Sequence, residues 1–188
     1  MNLNSAIKKR ASIRDYSLKK VKYDKIIDII EAGNLAPSPG NLCIAHFIII
    51  EDPETIYEIS KACQQKFISN TQFVIAIISD SKHVKKLYDE RAEKYVPQHA
   101  GAVIENMLLK ITDVGLASCW VGAFSELTLR KILKLPEDEN LTIEGLLPIG
   151  YPSNTKTTKQ KPKSHLGNVV FFEEWKNKYQ KSPAKREV

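Results

Sequence analysis

A three-layer α+β domain is what this sequence predicts, and three observations carry the prediction. "CIAHFIII" (43–50) and "QFVIAIISD" (72–80) are apolar runs rich in β-branched residues, the pattern of strands covered on both faces. Several other stretches repeat their apolar residues at helical spacing, as helices packed on such strands must. Strands and helices also mix without strict βαβ alternation, which argues against a doubly wound sheet. The 188 residues suffice for one domain over 1–188, with 152–188 as an extended arm and tail.

Each element has its own signal. "YDKIIDIIEAGN" opens a helix with Ile26, Ile27, Ile29 and Ile30 on one side, and Gly33 or Asn34 can end it. Pro37 and Pro39 forbid its continuation, so "APSPGN" is a loop. The first strand follows and stops at Glu51-Asp52. Asp52 before Pro53 starts the next helix, whose inner face carries Ile56, Ile59 and Cys63. After the second strand, the charged segment from Ser81 to Tyr95 reads as a surface helix ended by Pro97. From Gln98 to Val114 a wide apolar stripe predicts a helix buried on most sides, capped by Gly115. "LASCWVG" reads as a third strand, "SELTLRKIL" as a helix capped by Ser125, and "LTIEGLLPIG" as a fourth strand closed by Tyr151-Pro152. "SNTKTTKQKPKS" has no apolar residue and reads as an exposed arm. "NVVFFEEW" is a last strand or a docking segment.

Composition narrows the function. Apolar residues make up 43% and charged residues 27%, an ordinary globular balance. The formal charge of +6 favours anionic partners, but acidic residues are interspersed almost throughout. Cys43, Cys63 and Cys119 lack metal spacing and are too scattered for a disulfide framework, so a reducing cytoplasm is the expected location. His46, His83, His99 and His165 are isolated and read as surface or packing residues. No apolar signal region and no membrane-length apolar stretch is expected.

One short run stands out. In "KKRASIRDYS" (8–17), an extended chain puts Arg10, Ser12 and Arg14 on one face and turns Ala11 and Ile13 toward a core. Two guanidiniums beside a hydroxyl suit a phosphate, since each fork donates paired charge-assisted bonds. The plainer reading is a basic amino-terminal helix with solvated side chains. No nucleophile elbow, zinc signature, phosphate-binding Gly-Lys loop or dinucleotide glycine fingerprint occurs, and an enzyme without its own nucleophile or metal usually borrows reactivity from a cofactor.

"RASIRDY", "APSPGN", "GLASCWVGAF", "LPIGYP" and "KPK" follow one another in an order and spacing that resemble the FMN-dependent nitroreductase family, over about residues 5 to 172. The resemblance implies a central, mostly antiparallel sheet flanked by helices, in a homodimer that exchanges carboxy-terminal arms. It implies FMN as cofactor and NADH or NADPH as co-substrate. Arg10, Ala11 and Ser12 are implied at the flavin phosphate, with Arg14 at the ribityl chain and pyrimidine end. Pro37, Ser38, Pro39 and Asn41 are implied to close the site from the other subunit. Lys161 and Lys163 are implied to return to the phosphate. Val121 is implied along the ring, and the Gly122 amide is implied to sit beside N5. Trp120 and Phe124 read as packing residues first and ring neighbours second, and Asn70 is a further candidate contact.

The chain departs from the family pattern at Cys43-Ile44-Ala45, where many members carry Gln-Pro-Trp after the loop Asn. The implied activity is hydride transfer from NAD(P)H through the flavin to an electron-poor acceptor, a nitroaromatic or quinone, in ping-pong order. Alternatives are same-fold flavoproteins that remove halogen or fragment flavin, for which "SKHVKKLYDERAEKYVPQ" is the candidate lid. A different class is a basic nucleic-acid binder using Phe171, Phe172, Trp175 and Tyr179 near the lysine-rich tail.

Overall fold

The computed structural model describes residues 1–153 and 164–178. Four strands form one sheet in the order β1-β2-β4-β3: β1 (Ala45–Ile50), β2 (Phe73–Asp80), β3 (Ala117–Ser118) and β4 (Leu141–Gly150). Every pairing is antiparallel, with Ile48 opposite Ala76, Ile75 opposite Leu147 and Ser118 opposite Ile149. Between Ile77 and Ile78 the register slips: these residues face Gly145 and Ile143, so Glu144 is the extra residue of a bulge.

Alternation along β2 feeds two cores. Phe73, Ile75 and Ile77 pack with Leu147 and Ile149 against α2 (Tyr23–Asn34) and α5 (Ala92–Asp113), through Ile26, Ile29, Val103, Ile104, Met107 and Ile111. Val74, Ala76 and Ile78 pack with Leu146 on the other face against Ile56, Ile59 and Cys63 of α3 (Pro53–Ala62) and its cap, and Leu129 of α6 (Glu126–Ile132). That is the expected helix–sheet–helix layering, with β2 covered on both faces. A third cluster joins Ile44 to Val84 of α4 (Lys82–Tyr88) and to Ala92 and Val96 of α5.

Local signals explain the helix starts. The Asp52 carboxylate accepts from the Thr55 amide at 2.8 Å, and Pro53 occupies the first turn. The Ser125 hydroxyl likewise accepts from the Thr128 amide. Gly33 lies inside α2 rather than ending it. A Cβ there would stand 2.7 Å from Met107 Cγ, so its absence lets α2 and α5 approach closely.

Three expectations need correction, and one pair of alternatives turns out to hold together. Pro97 does not end a helix. The chain turns at Asp89–Arg91 and α5 begins at Ala92, so Pro97 sits inside it and forfeits only the bond to the Glu93 carbonyl. The charged segment is therefore α4, a turn and the first turns of α5. The third strand is two residues long, continued by a single bridge from Val121 to Leu146. "NVVFFEEW" forms no strand: it overlaps the end of α7 (Leu166–Val169) and then turns back, with the Phe171 and Trp175 ring centres 4.7 Å apart and tilted at 57°. Finally, the basic amino terminus is both things the sequence offered. α1 (Leu3–Lys9) ends at Arg10, and the chain is extended from there.

Candidate active site

The extended run is held by backbone bonds to the sheet edge. Ser12 bridges Ser118 in parallel, and the Ile13 amide donates to the Ser118 carbonyl at 2.9 Å. Farther on, the Ser17 amide donates to Tyr151 and the Ser153 amide to Asp15. Tyr16 fastens the middle: its hydroxyl donates to the Ile13 carbonyl at 2.7 Å and lies 3.3 Å from that of Pro148. Its ring covers Gly150, where a Cβ would be 3.0 Å from Tyr16 Cδ1.

This pairing brings two pieces of the predicted site together, because Ser118 leads directly into Cys119-Trp120-Val121-Gly122. Ser12 and Arg14 are exposed, whereas Ala11 and Ile13 are half-buried. The two arginines lean toward opposite layers. Arg10 Nε lies 3.4 Å from Glu105 Oε1 on α5, and the Arg14 guanidinium lies 5.9 Å from the Phe67 ring centre on the α3 side. Ser12 stands between them in the chain. Val121 is buried, while Gly122 is exposed, and a Cβ added there meets nothing within 4 Å. Trp120 is 43% exposed, and its indole lies across Gly145, where a Cβ would stand 2.6 Å from Nε1.

The proline loop lies elsewhere along α5. Pro39–Asn41 form a single 3-10 turn in which Gly40 has φ 61° and Asn41 φ 55°, left-handed values that Gly and Asn tolerate best. Pro37 and Asn41 are exposed, and Ser38 and Pro39 half-buried. A Cβ on Gly40 would be 3.1 Å from the Tyr88 hydroxyl, so the loop rests on α4. A cleft of about 420 Å³ opens there, with Pro37, Pro39, Tyr88, Tyr95 and His99 in its walls. Gln98 also lines it, seven residues before Glu105 and therefore on the same side of α5, about 10 Å along the axis.

With this geometry in view, the comparisons with known proteins decide the family. The sequence model of the nitroreductase family matches residues 7–72 and 60–151. The chain belongs to the nitroreductase family. An Archaeoglobus fulgidus protein whose name pairs NADH dehydrogenase with NAD(P)H nitroreductase is 30% identical over 171 residues, 88% of this chain and 94% of that protein. The crystal structure of a nitroreductase family protein from Clostridium difficile 630 superposes with a TM-score of 0.80 at 28% identity, covering 93% of this chain and all of that one. An NADPH:FMN oxidoreductase from Vibrio harveyi in complex with NAD+ shares the fold at a TM-score of 0.82 and 20% identity, covering 94% and 79% of the two chains.

For a nitroreductase-family chain, the residues present fit a flavin mononucleotide. The half-buried Arg10 and the exposed Ser12 hydroxyl, two residues apart, suit a phosphate, and the open backbone at Gly122 leaves room for a flat ring. Lys161 and Lys163 lie outside the described residues. Asn70 ends the 3-10 turn Lys66–Asn70 and is exposed. Sequence reading missed Glu105 and Phe67 as partners of the two arginines, because nothing in their spacing to the run announces the contact. It read Tyr88 and Tyr95 only as part of a candidate lid and His99 as a surface or packing residue, and His99 is indeed buried. Tyr95 and His99 stand four residues apart, a one-face spacing, but the proline that was expected to break this helix hid the pattern.

Among the described residues no cluster of His, Cys, Asp or Glu could hold a metal ion. No helix among them is long and apolar enough to cross a membrane. Cys63 and Cys119 are buried free thiols, and burial pushes the Cys63 thiol up to about 11, which keeps it protonated and inert.

Proposed function

We propose that this chain is an FMN-dependent oxidoreductase working as a homodimer. The observation that carries the reading is the Ser12–Ser118 bridge, which lays the two-arginine run against the strand leading to Gly122. Arg10 and Ser12 hold the flavin phosphate beside Ala11, and Arg14, leaning the other way, reaches the ribityl chain and pyrimidine end. Two guanidiniums pulled toward opposite layers suit two separated acceptor groups better than one shared anion. Pro37, Ser38, Pro39 and Asn41 close the site of the other subunit.

The chemistry such a flavin supplies when bound is two-electron transfer from NADH or NADPH to a nitroaromatic or quinone, in ping-pong order through N5. Val121 would back the ring, and the Gly122 amide would donate a hydrogen bond where negative charge builds. No side chain of this chain is asked to act as nucleophile or general acid. The carboxy-terminal arm exchanges with the partner: Leu166, Val169 and Trp175 are all exposed in the single chain, as residues covered only in a dimer would be. Lys161 and Lys163, outside the described residues, are the lysines the family resemblance implies for the phosphate.

The test is direct. The purified protein is expected to be yellow, with the two-band visible spectrum of bound flavin, and to oxidise NADH or NADPH when a nitroaromatic is supplied. Arg14→Ala is expected to weaken FMN binding by about tenfold or more, the loss typical of one charge-assisted hydrogen bond. The surface change Lys85→Ala is expected to alter neither binding nor turnover. A colourless protein that FMN does not reconstitute overturns the reading.

A further inference from the structure

The short loop between the two-arginine run and α2 carries a surface that the proposed flavin chemistry does not use. It is pinned at both ends. The Ser17 amide donates to the Tyr151 carbonyl at 2.8 Å, and the Val21 amide donates to the Gln72 side chain. Between the pins, Leu18, Lys19 and Lys20 are all exposed. Leu18 is 95% exposed, more than any other large hydrophobic among the described residues. A lone exposed leucine is ordinary, but this one stands among lysines that nothing neutralises. Lys22 and Tyr23 are exposed at the start of α2, while Lys25 turns inward, its Nζ 2.7 Å from the Val114 carbonyl and 3.2 Å from the Tyr151 hydroxyl. Lys19 Nζ lies 4.3 Å from the centre of the same ring. The Lys25 hydrogen bond first, and then the charges of Lys25, Lys19 and Lys22, hold the Tyr151 phenol below the ordinary tyrosine range. Among the described residues none of Lys19, Lys20, Lys22 and Lys25 pairs with a carboxylate, unlike Arg10, Lys61, Lys110 and Arg130. The exposed Asp15 and Asp24 leave residues 15–25 with a net charge of +2.

We infer that this tip docks the protein on an anionic lipid surface, with Leu18 entering the headgroup layer and Lys19, Lys20 and Lys22 meeting lipid phosphates. A fluid surface closes around a single protruding side chain, whereas a rigid protein partner needs a broader apolar patch to meet it. Tyr23, half exposed beside the lysines, has the ring-and-hydroxyl character that favours the membrane–water boundary. Nucleic acid fits less well. Residues 17–25 hold no arginine to fork onto a phosphate, and Lys19 already covers the Tyr151 ring on which a base could stack. Each lysine near such a surface strengthens binding about fivefold, and an inserted leucine about tenfold. With two carboxylates opposing, the result is reversible peripheral binding that salt weakens. The inference stands on this surface alone and does not depend on the FMN reading.

The test uses the full-length protein as purified, sedimented with vesicles of phosphatidylcholine alone or mixed with an equal part of phosphatidylglycerol. The wild type is expected to sediment with the mixed vesicles at low salt, to ignore the neutral ones, and to be released as salt rises to about 0.15 M and beyond. Lys20→Gln and Lys22→Gln are each expected to lower the partition about fivefold, and Leu18→Ser about tenfold. All three substitutions change exposed side chains, so flavin absorbance and melting temperature are expected to stay as in the wild type. Lys85→Gln removes the same charge from α4 and is expected to leave vesicle binding unchanged, which separates this tip from the net charge of the chain. Equal binding to both vesicle types, or none to either, overturns the inference. So does a loss in Lys85→Gln equal to that in Lys20→Gln, or a Leu18→Ser protein that binds like the wild type. Retention of duplex DNA through Lys20 and Lys22, with vesicles ignored, overturns it in favour of a nucleic-acid surface.

Discussion

Arg10 Nε and Glu105 Oε1 stand 3.4 Å apart, joining the end of α1 to the middle of α5. The pair is not deeply buried: the side chains are 24% and 49% exposed, so its contribution to stability is small, about 1 kcal/mol or less. Its proposed role is orientation of the guanidinium toward the phosphate. Glu105→Gln, which keeps an oxygen acceptor and loses the charge, is expected to change the unfolding midpoint little and FMN affinity by a few-fold. Arg10→Ala is expected to lower FMN affinity about tenfold or more. Fluorescence titration with FMN, paired with urea unfolding, separates the two effects. Equal FMN affinity in Arg10→Ala and the wild type would sink the role.

Tyr16 anchors the run that carries both arginines. Burial is the main reason its phenol is raised far above the ordinary tyrosine range, with the Cys119 thiol adding and Arg14 opposing. A phenol raised in the folded state stabilises below the unfolded value and loses that contribution as pH rises beyond it. The wild type is therefore expected to lose stability above about pH 10, where the unfolded chain ionises first. Tyr16→Phe is expected to be about 1 kcal/mol less stable near neutral pH, since the Ile13 carbonyl loses its donor. It should also lack this share of the alkaline loss. Urea midpoints of both proteins across the alkaline range check the slope.

Asp52 gives the opposite sign. Its carboxyl is held below the usual carboxylate range, first by the Thr55 hydroxyl and then by the Thr55 amide. A depressed acid stabilises above its unfolded value and loses that contribution as pH falls through the folded one. Asp52→Asn is expected to melt at a lower temperature than the wild type near neutral pH, and the gap is expected to close in acid. Thermal melts at several pH values read this directly, and a pH-independent gap would count against the ionised cap.

Much of the architecture is legible in local chemistry. The β-branched runs ending at Ile50 and Asp80 become β1 and β2, Asp52-Pro53 opens α3, and Ser125 caps α6, because each signal lies within a few residues of what it controls. Pro97 misled for a related reason. A proline in the second turn of a helix removes one hydrogen bond, and the burial of Val96, Ala100, Val103 and Ile104 outweighs that loss. The strand at "LASCWVG" came out short because only Ala117 and Ser118 find paired neighbours on β4 before the chain leaves the sheet, returning once at Val121.

By itself, the order of residues determined the three layers, most element boundaries and the chemical character of "RASIR", since hydrophobic period, capping and side-chain charge are all local quantities. Only the folded chain decided that Ser12 lies against Ser118, that Arg10 meets Glu105 and that Arg14 leans on Phe67. Those contacts join positions tens to a hundred residues apart, and their free energy comes from packing and desolvation, which exist only once the layers have closed on one another.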